Sequence, residues 1–135
     1  MYLLDTDIFI YILKGHQNVK ENLRRHYNDL LQLSVISLME LYYGAYKSGS
    51  MGSNLAKVKT VENTLKVITV GTEVADVFGL LKSQMEAKGK RPDDFDLIIA
   101  ASAMTHNLIL VTNNTRYFKR IEGLRLENWT LETPM

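Results

Sequence analysis

Three carboxylates crowd into four residues at Asp93-Asp94-Phe95-Asp96, directly after Pro92 and directly before the apolar run Leu97-Ile98-Ile99-Ala100-Ala101. A helix that opens with acidic residues is ordinary, because a side-chain oxygen can cap the orphan N–H groups and negative charge suits the positive end of the helix dipole. One or two acids suffice for that. Asp93 or Asp94 can cap, whereas Asp96 falls inside the first turn beside residues that read as buried. A carboxylate at the edge of a core needs a partner, since burying an unpaired charge is prohibitively costly, and no basic residue stands near it on that helix. Its partner is then a group from elsewhere in the chain, or a metal ion.

Other oxygen donors stand where they could join it. Asp5-Thr6-Asp7 follows the apolar run Tyr2-Leu3-Leu4, Glu40 lies in the helical stretch after Leu31 to Ile36, and Asn114 follows Leu108 to Thr112. Taken singly, each has a structural role: Asp5 or Asp7 as an N-cap, Glu40 closing a capping box with Ser37, Asp93 to Asp96 answering a dipole. Capping does not require that acids from distant segments meet, whereas a hard divalent ion does require converging oxygens. The absences narrow the chemistry. There is no cysteine, and His16, His26 and His106 all fall on helices or helix ends, which leaves little for a zinc site or a histidine triad. Oxygen-only ligation points to Mg²⁺ or Mn²⁺ and to work on phosphates, such as activation of a water against a phosphodiester. No GxxxxGK[ST] or GxGxxG motif supports a nucleotide-binding alternative.

Positioning these residues requires strands that end together. Tyr2 to Leu4, Leu31 to Ile36, Leu65 to Val70, Leu108 to Thr112 and Leu124 to Asn128 read as strands, mostly short apolar runs. Between them the pattern predicts helices over Ile8 to Leu13, Asn18 to Tyr27, a stretch opened by Ser37 and Glu40, Asn54 to Thr64, Thr72 to Lys88 closed by Gly89, and the acidic-ended segment running to about His106. Ser48 to Ser53 reads as a loop and Asn113-Asn114-Thr115 as a polar turn. Apolar strands alternating with helices imply an α/β fold whose parallel sheet carries helices on both faces. Ligands of such sheets gather beyond the carboxyl ends of the strands, where Asp5, Glu40 and Asn114 fall and which Asp96 can reach from its helix.

The 135 residues suit one domain, spanning 1–135. A net charge of +1 does not by itself call for a polyanionic partner, yet inward-facing acids would leave a basic exterior. With no cysteine, no signal-like N-terminus and no long apolar run, the chain reads as a soluble cytoplasmic protein with no membrane role.

Leu3-Leu4-Asp5-Thr6-Asp7, Leu38-Met39-Glu40-Leu41-Tyr42-Tyr43-Gly44, Asp96-Leu97-Ile98-Ile99-Ala100-Ala101 and Leu110-Val111-Thr112-Asn113-Asn114-Thr115 together resemble the PIN-domain ribonucleases, in particular VapC-type toxins of toxin–antitoxin pairs. The resemblance spans nearly the whole chain and implies a Mg²⁺-dependent endoribonuclease with a five-stranded parallel sheet, restrained by a protein antitoxin. It assigns metal binding to Asp5, Glu40 and Asp96 and a fourth site position to Asn114. Thr6, Thr112 and Asp93 then support the acids. Two positions depart from the family pattern. Asn114 offers an oxygen without charge where an aspartate is common, and Tyr117 stands where many such toxins have a glutamate.

Lys88, Lys90 and Arg91 precede the acidic helix, and Arg116, Lys119 and Arg120 follow the Asn turn, so these six are the candidate RNA-backbone contacts. Leu38, Met39, Leu41, Tyr42, Tyr43 and Tyr46 give one helix more apolar and aromatic surface than a single core stripe uses, which together with the resemblance predicts a homodimer, the alternative occupant of that surface being the antitoxin. Competing readings are a PIN-type nuclease of RNA processing or DNA repair, and a PIN-like domain that binds RNA or protein without cutting.

Overall fold

The computed structural model describes residues 1–132. Five strands form one sheet in the order β3-β2-β1-β4-β5, every neighbouring pair parallel: β1 Tyr2–Leu4, β2 Leu31–Ser34, β3 Lys66–Ile68, β4 Ile109–Val111 and β5 Leu126–Glu127. The chain first builds outward on one side of β1 and then returns to build on the other. Strand order therefore reverses between β1 and β4, the place where parallel α/β sheets open a crevice at their carboxyl edge. The helices are α1 Thr6–Leu13, α2 Gln17–Arg25, α3 Val35–Lys47, α4 Met51–Thr64, α5 Thr72–Ala87, α6 Asp94–Thr105 and α7 Thr115–Phe118.

Alternation along the strands divides the core in two. Leu3 and Leu110 face one cluster with Val74, Leu81, Met85, Leu97 and Phe118, from α5, α6 and α7. Leu4, Leu33 and Val111 face the other with Ile8, Phe9, Val19, Leu41 and Val58, from α1 to α4. Both sheet faces are covered, as the continuous apolar strands require. The amphipathic period of α5 buries Val74, Leu81 and Met85, and Gly89 closes that helix at φ 74° with its amide on the Glu86 carbonyl, in the left-handed conformation glycine adopts without strain. None of the helices among the described residues is long and apolar enough to cross a membrane.

Three local expectations are corrected. Val35 and Ile36 extend no strand, because the Ser34 hydroxyl accepts from the Ile36 amide at 3.1 Å and starts α3 there. Ser37 is therefore already inside the helix, and no capping box joins it to Glu40. The loop expected over Ser48 to Ser53 is shorter, since α4 begins at Met51. Finally, the polar turn runs on into a single helical turn, α7, whose Phe118 is buried.

Candidate active site

The carboxyl edge between β1 and β4 is where acids collect. Asp5 ends β1 with its amide still paired to the Val111 carbonyl, and its side chain is only 5% exposed. Its Oδ1 accepts from the Thr6 amide and its Oδ2 from the Thr112 hydroxyl, both at 2.8 Å. Thr112 is buried at the end of β4, and the same hydroxyl accepts from the Asn114 amide at 2.9 Å. Thr6 works on the opposite side: its Oγ1 lies 2.8 Å from Glu40 Oε1 and 2.9 Å from Ser37 Oγ. With one proton to give, Thr6 donates to the carboxylate and accepts from the serine. Both threonines expected to support the acids thus touch them, and Ser37, expected to be a cap, is instead a buried member of the Glu40 network.

Asp96 enters from the first turn of α6, whose cap is Asp93, accepting from the Asp96 amide at 3.2 Å. Helices α3 and α6 are packed together, which brings Glu40 toward Asp96. The charges of Asp93, Glu40 and Asp7 all act on Asp96. Asp5 is pushed up to about 7, first by burial and then by the charge of Asp7. Asp96 is pushed up to about 6, first by burial and then by Asp93 and Glu40. Among the described residues, none of Asp5, Asp7, Glu40, Asp93 and Asp96 has an ion-pair partner; the one pairing on this side joins Lys82 to Asp94 at 3.0 Å.

Two buried polar atoms here have no hydrogen-bond partner among the described residues: Asp7 Oδ1 and the Tyr117 hydroxyl. Tyr117 is pushed up to about 12, by burial and then by Asp96 and Asp93, so it stands as a neutral phenol against the acids. Such orphans call for an explanation in a native protein. Uncompensated carboxylates and oxygen-only donors both fit a hard cation. Geometry adds a condition, because no group of three or more His, Cys, Asp or Glu among the described residues is close enough to hold one ion unaided. The trio Asp5, Glu40 and Asp96 is gathered at one edge but does not form a closed cage. That suits Mg²⁺, which keeps several waters and is commonly held by one or two carboxylates together with substrate phosphates.

Sequence reasoning missed Asp7 as a site residue, although it is half-buried and its Oδ2 accepts from the Asn113 amide at 3.0 Å. Its position two residues after Asp5 was the available signal. Asn114 is at the edge, exposed, its carbonyl accepting from the Tyr117 and Phe118 amides. The six basic residues are all exposed, and none is ion-paired among the described residues. Lys88 and Arg120 line one hollow of about 320 Å³, so the two basic clusters meet there, while Lys90 and Arg91 line another beside Asp94. Along the opposite wall an apolar groove of about 430 Å³, lined by Ile10, Leu13, Leu41 and Val58, leads away from Thr6 and Glu40.

A parallel α/β domain with unpaired carboxylates at its switch point defines a class of protein made to hold positive charge, and a substrate that brings or needs it, at a sheet edge. The chain belongs to the PIN domain family, whose model matches residues 2–124. It is 37% identical over 131 residues to the tRNA(fMet)-specific endonuclease VapC of Salmonella typhimurium, covering 95% of this chain and 97% of that one. It is 37% identical over 133 residues to Ribonuclease VapC2 of Rickettsia felis, covering 96% and 98%. Among solved structures it resembles VapBC2 of Rickettsia felis bound to a promoter DNA fragment, with TM-score 0.89 and 35% identity over 95% of this chain and 98% of that one. DNA-bound VapBC of Salmonella typhimurium matches with TM-score 0.88 and 34% identity, over 95% and 97%.

Proposed function

We propose that this protein is a divalent-metal-dependent endoribonuclease and the toxin of a toxin–antitoxin pair. The observation that carries the reading is the set of buried and half-buried carboxylates, without an ion-pair partner among the described residues, at the switch point of a PIN domain whose relatives are named ribonucleases. Mg²⁺, or Mn²⁺ in its place, would supply positive charge for a phosphodiester and a water of lowered pKa there. Asp5 and Asp96 would hold it, with Glu40 alongside. Thr112 and the Thr6 amide orient Asp5 through the bonds described, while the Thr6 hydroxyl orients Glu40. Asn114 would orient water or substrate from the β4 side. The name of the Salmonella relative makes tRNA the substrate class to try first. Mapping new RNA 5′ ends after brief expression tests this: discrete ends within tRNA are expected, and an unchanged RNA population would overturn the reading.

Binding is assigned to the basic flanks. Charge reversal at Arg91 or Arg116 should weaken RNA affinity and lower its salt slope by roughly 0.7 to 0.9 for each phosphate no longer neutralised. The saturated rate should move much less, because a contact made equally in ground and transition states governs binding rather than turnover. Affinity and slope that both stay put would reduce these clusters to solvated surface.

Two protein partners complete the proposal. Structural neighbours that are VapBC complexes support an antitoxin, and the apolar groove leading from Glu40 is our choice for its inhibitory segment. A second copy of the chain is assigned to α3. Leu38 and Leu41 of that helix are spent on the core, and the Tyr42 hydroxyl donates to Glu62 of α4. Met39, Tyr43 and Tyr46, one turn apart, remain 51%, 66% and 63% exposed. Sedimentation at tens of micromolar should give a dimer that Tyr43→Glu dissociates; a wild-type monomer would exclude it.

A further inference from the structure

The turn that carries Asn114 is held unusually firmly for an exposed loop. Asp7 and Tyr11 are four residues apart on α1 and so share one face of it. Both reach Asn113. Asp7 Oδ2 accepts from its backbone amide at 3.0 Å, and the Tyr11 hydroxyl accepts from its side-chain Nδ2, also at 3.0 Å. The remaining oxygen of the Asn113 amide accepts from Asn128 Nδ2 at 3.1 Å, and the Thr130 hydroxyl, 3.0 Å from it, shares its one proton between that oxygen and Asn128 Oδ1 at 2.6 Å, both residues lying just beyond β5. Thr112, on one side of Asn113, bonds Asp5; Asn114, on the other, bonds Thr112. A single residue thereby ties α1, β4 and the segment after β5 together at the acidic edge.

We propose that Asp7 is a positioning residue for the nuclease reaction: with Tyr11 it grips Asn113, and so holds Asn114 and Thr112 in register with Asp5. In this role Asp7 acts as a hydrogen-bond acceptor and not as a charged ligand. The proposal rests on the nuclease reading above. It distinguishes Asp7 from Asp5, two residues away, on a chemical ground. An asparagine at position 7 retains an oxygen for the Asn113 amide, whereas an asparagine at position 5 removes charge that the site requires. Loss of the grip leaves the acids in place but lets the turn shift, and displacements of about 1 Å at a reacting centre can cost on the order of a hundredfold in rate.

The experiment compares Asp7→Asn, Asp7→Ala, Tyr11→Phe and Asp5→Asn by steady-state cleavage of bulk tRNA, by Mn²⁺ binding to the free protein and by thermal melting. Asp7→Ala is expected to lower kcat between tenfold and a hundredfold, roughly, with KM and Mn²⁺ affinity near wild type. Asp7→Asn should stay within about threefold of wild-type kcat, and Tyr11→Phe should fall between the two. Asp5→Asn should be inactive and bind Mn²⁺ poorly. If Asp7→Asn is as inactive as Asp5→Asn, or loses Mn²⁺ as it does, Asp7 acts by charge and the proposal is wrong. Wild-type kcat in both Asp7→Ala and Tyr11→Phe overturns it equally, and Tyr11→Phe decides alone should Asp7→Ala not fold. Full cleavage by Asp5→Asn would instead show the site reading itself to be mistaken, and this proposal would fall with it.

Discussion

Asp5→Asn is expected to abolish RNA cleavage while making the metal-free protein more stable. The substitution keeps the side chain's volume and one oxygen to accept from the Thr6 amide, while the new –NH2 donates to the Thr112 hydroxyl in place of accepting from it; it removes the one charged side chain that is buried among the described residues. Loss of metal-assisted chemistry should cost about three orders of magnitude or more in rate, the equivalent of roughly 4 kcal/mol. Stability should move the other way, because an uncompensated buried carboxylate is replaced by a neutral group. Asp96→Asn should follow in activity, with a smaller gain in stability because Asp96 is only half-buried and better solvated. Cleavage assays with added Mg²⁺ and melting curves in EDTA check both halves. Near-wild-type cleavage by either variant would remove the metal assignment, and a clear drop in melting temperature would point to a structural role.

The second large effect is a pH dependence opposite to that of ordinary salt-bridged carboxylates. The folded protein keeps a proton on Asp5 up to about pH 7, whereas an exposed aspartate releases it near 3.8. Between those values the folded state binds more protons than the unfolded chain, so this contribution is fully present below the lower value and is lost as pH rises through the upper one. The shift corresponds to roughly 4 kcal/mol, or about 14 °C in melting temperature for a chain of this size. Asp96, raised to about 6, contributes in the same direction over the lower part of that window. In EDTA, wild type should therefore lose melting temperature relative to Asp5→Asn as pH rises from acid to neutral, and Mg²⁺ should restore it at neutral pH by binding the folded state alone. Parallel melting curves for the two proteins across that range would contradict it.

Much of this was written along the chain. The alternation of apolar strands with helices, and the acids and amide just after strand ends, made the α/β class and the candidates Asp5, Glu40, Asp96 and Asn114 legible, because in a parallel sheet every strand ends at the same edge. Local signals held where they were decisive on their own, as with Gly89 and Asp93. They failed where two local readings competed. Val35 and Ile36 are good strand residues, but the hydroxyl of Ser34 caps a helix and ends β2 two residues earlier. What only the tertiary structure decided is which edges meet. The placement of β4 beside β1, 107 residues apart in sequence at the Asp5 to Thr112 bond, creates the switch point. It also turns Asp7 from an apparent cap into a hydrogen-bond partner of Asn113 and leaves the buried hydroxyl of half-buried Tyr117 against two carboxylates. These are contacts between segments whose own patterns are satisfied either way, so strand order and burial, rather than any local preference, set them.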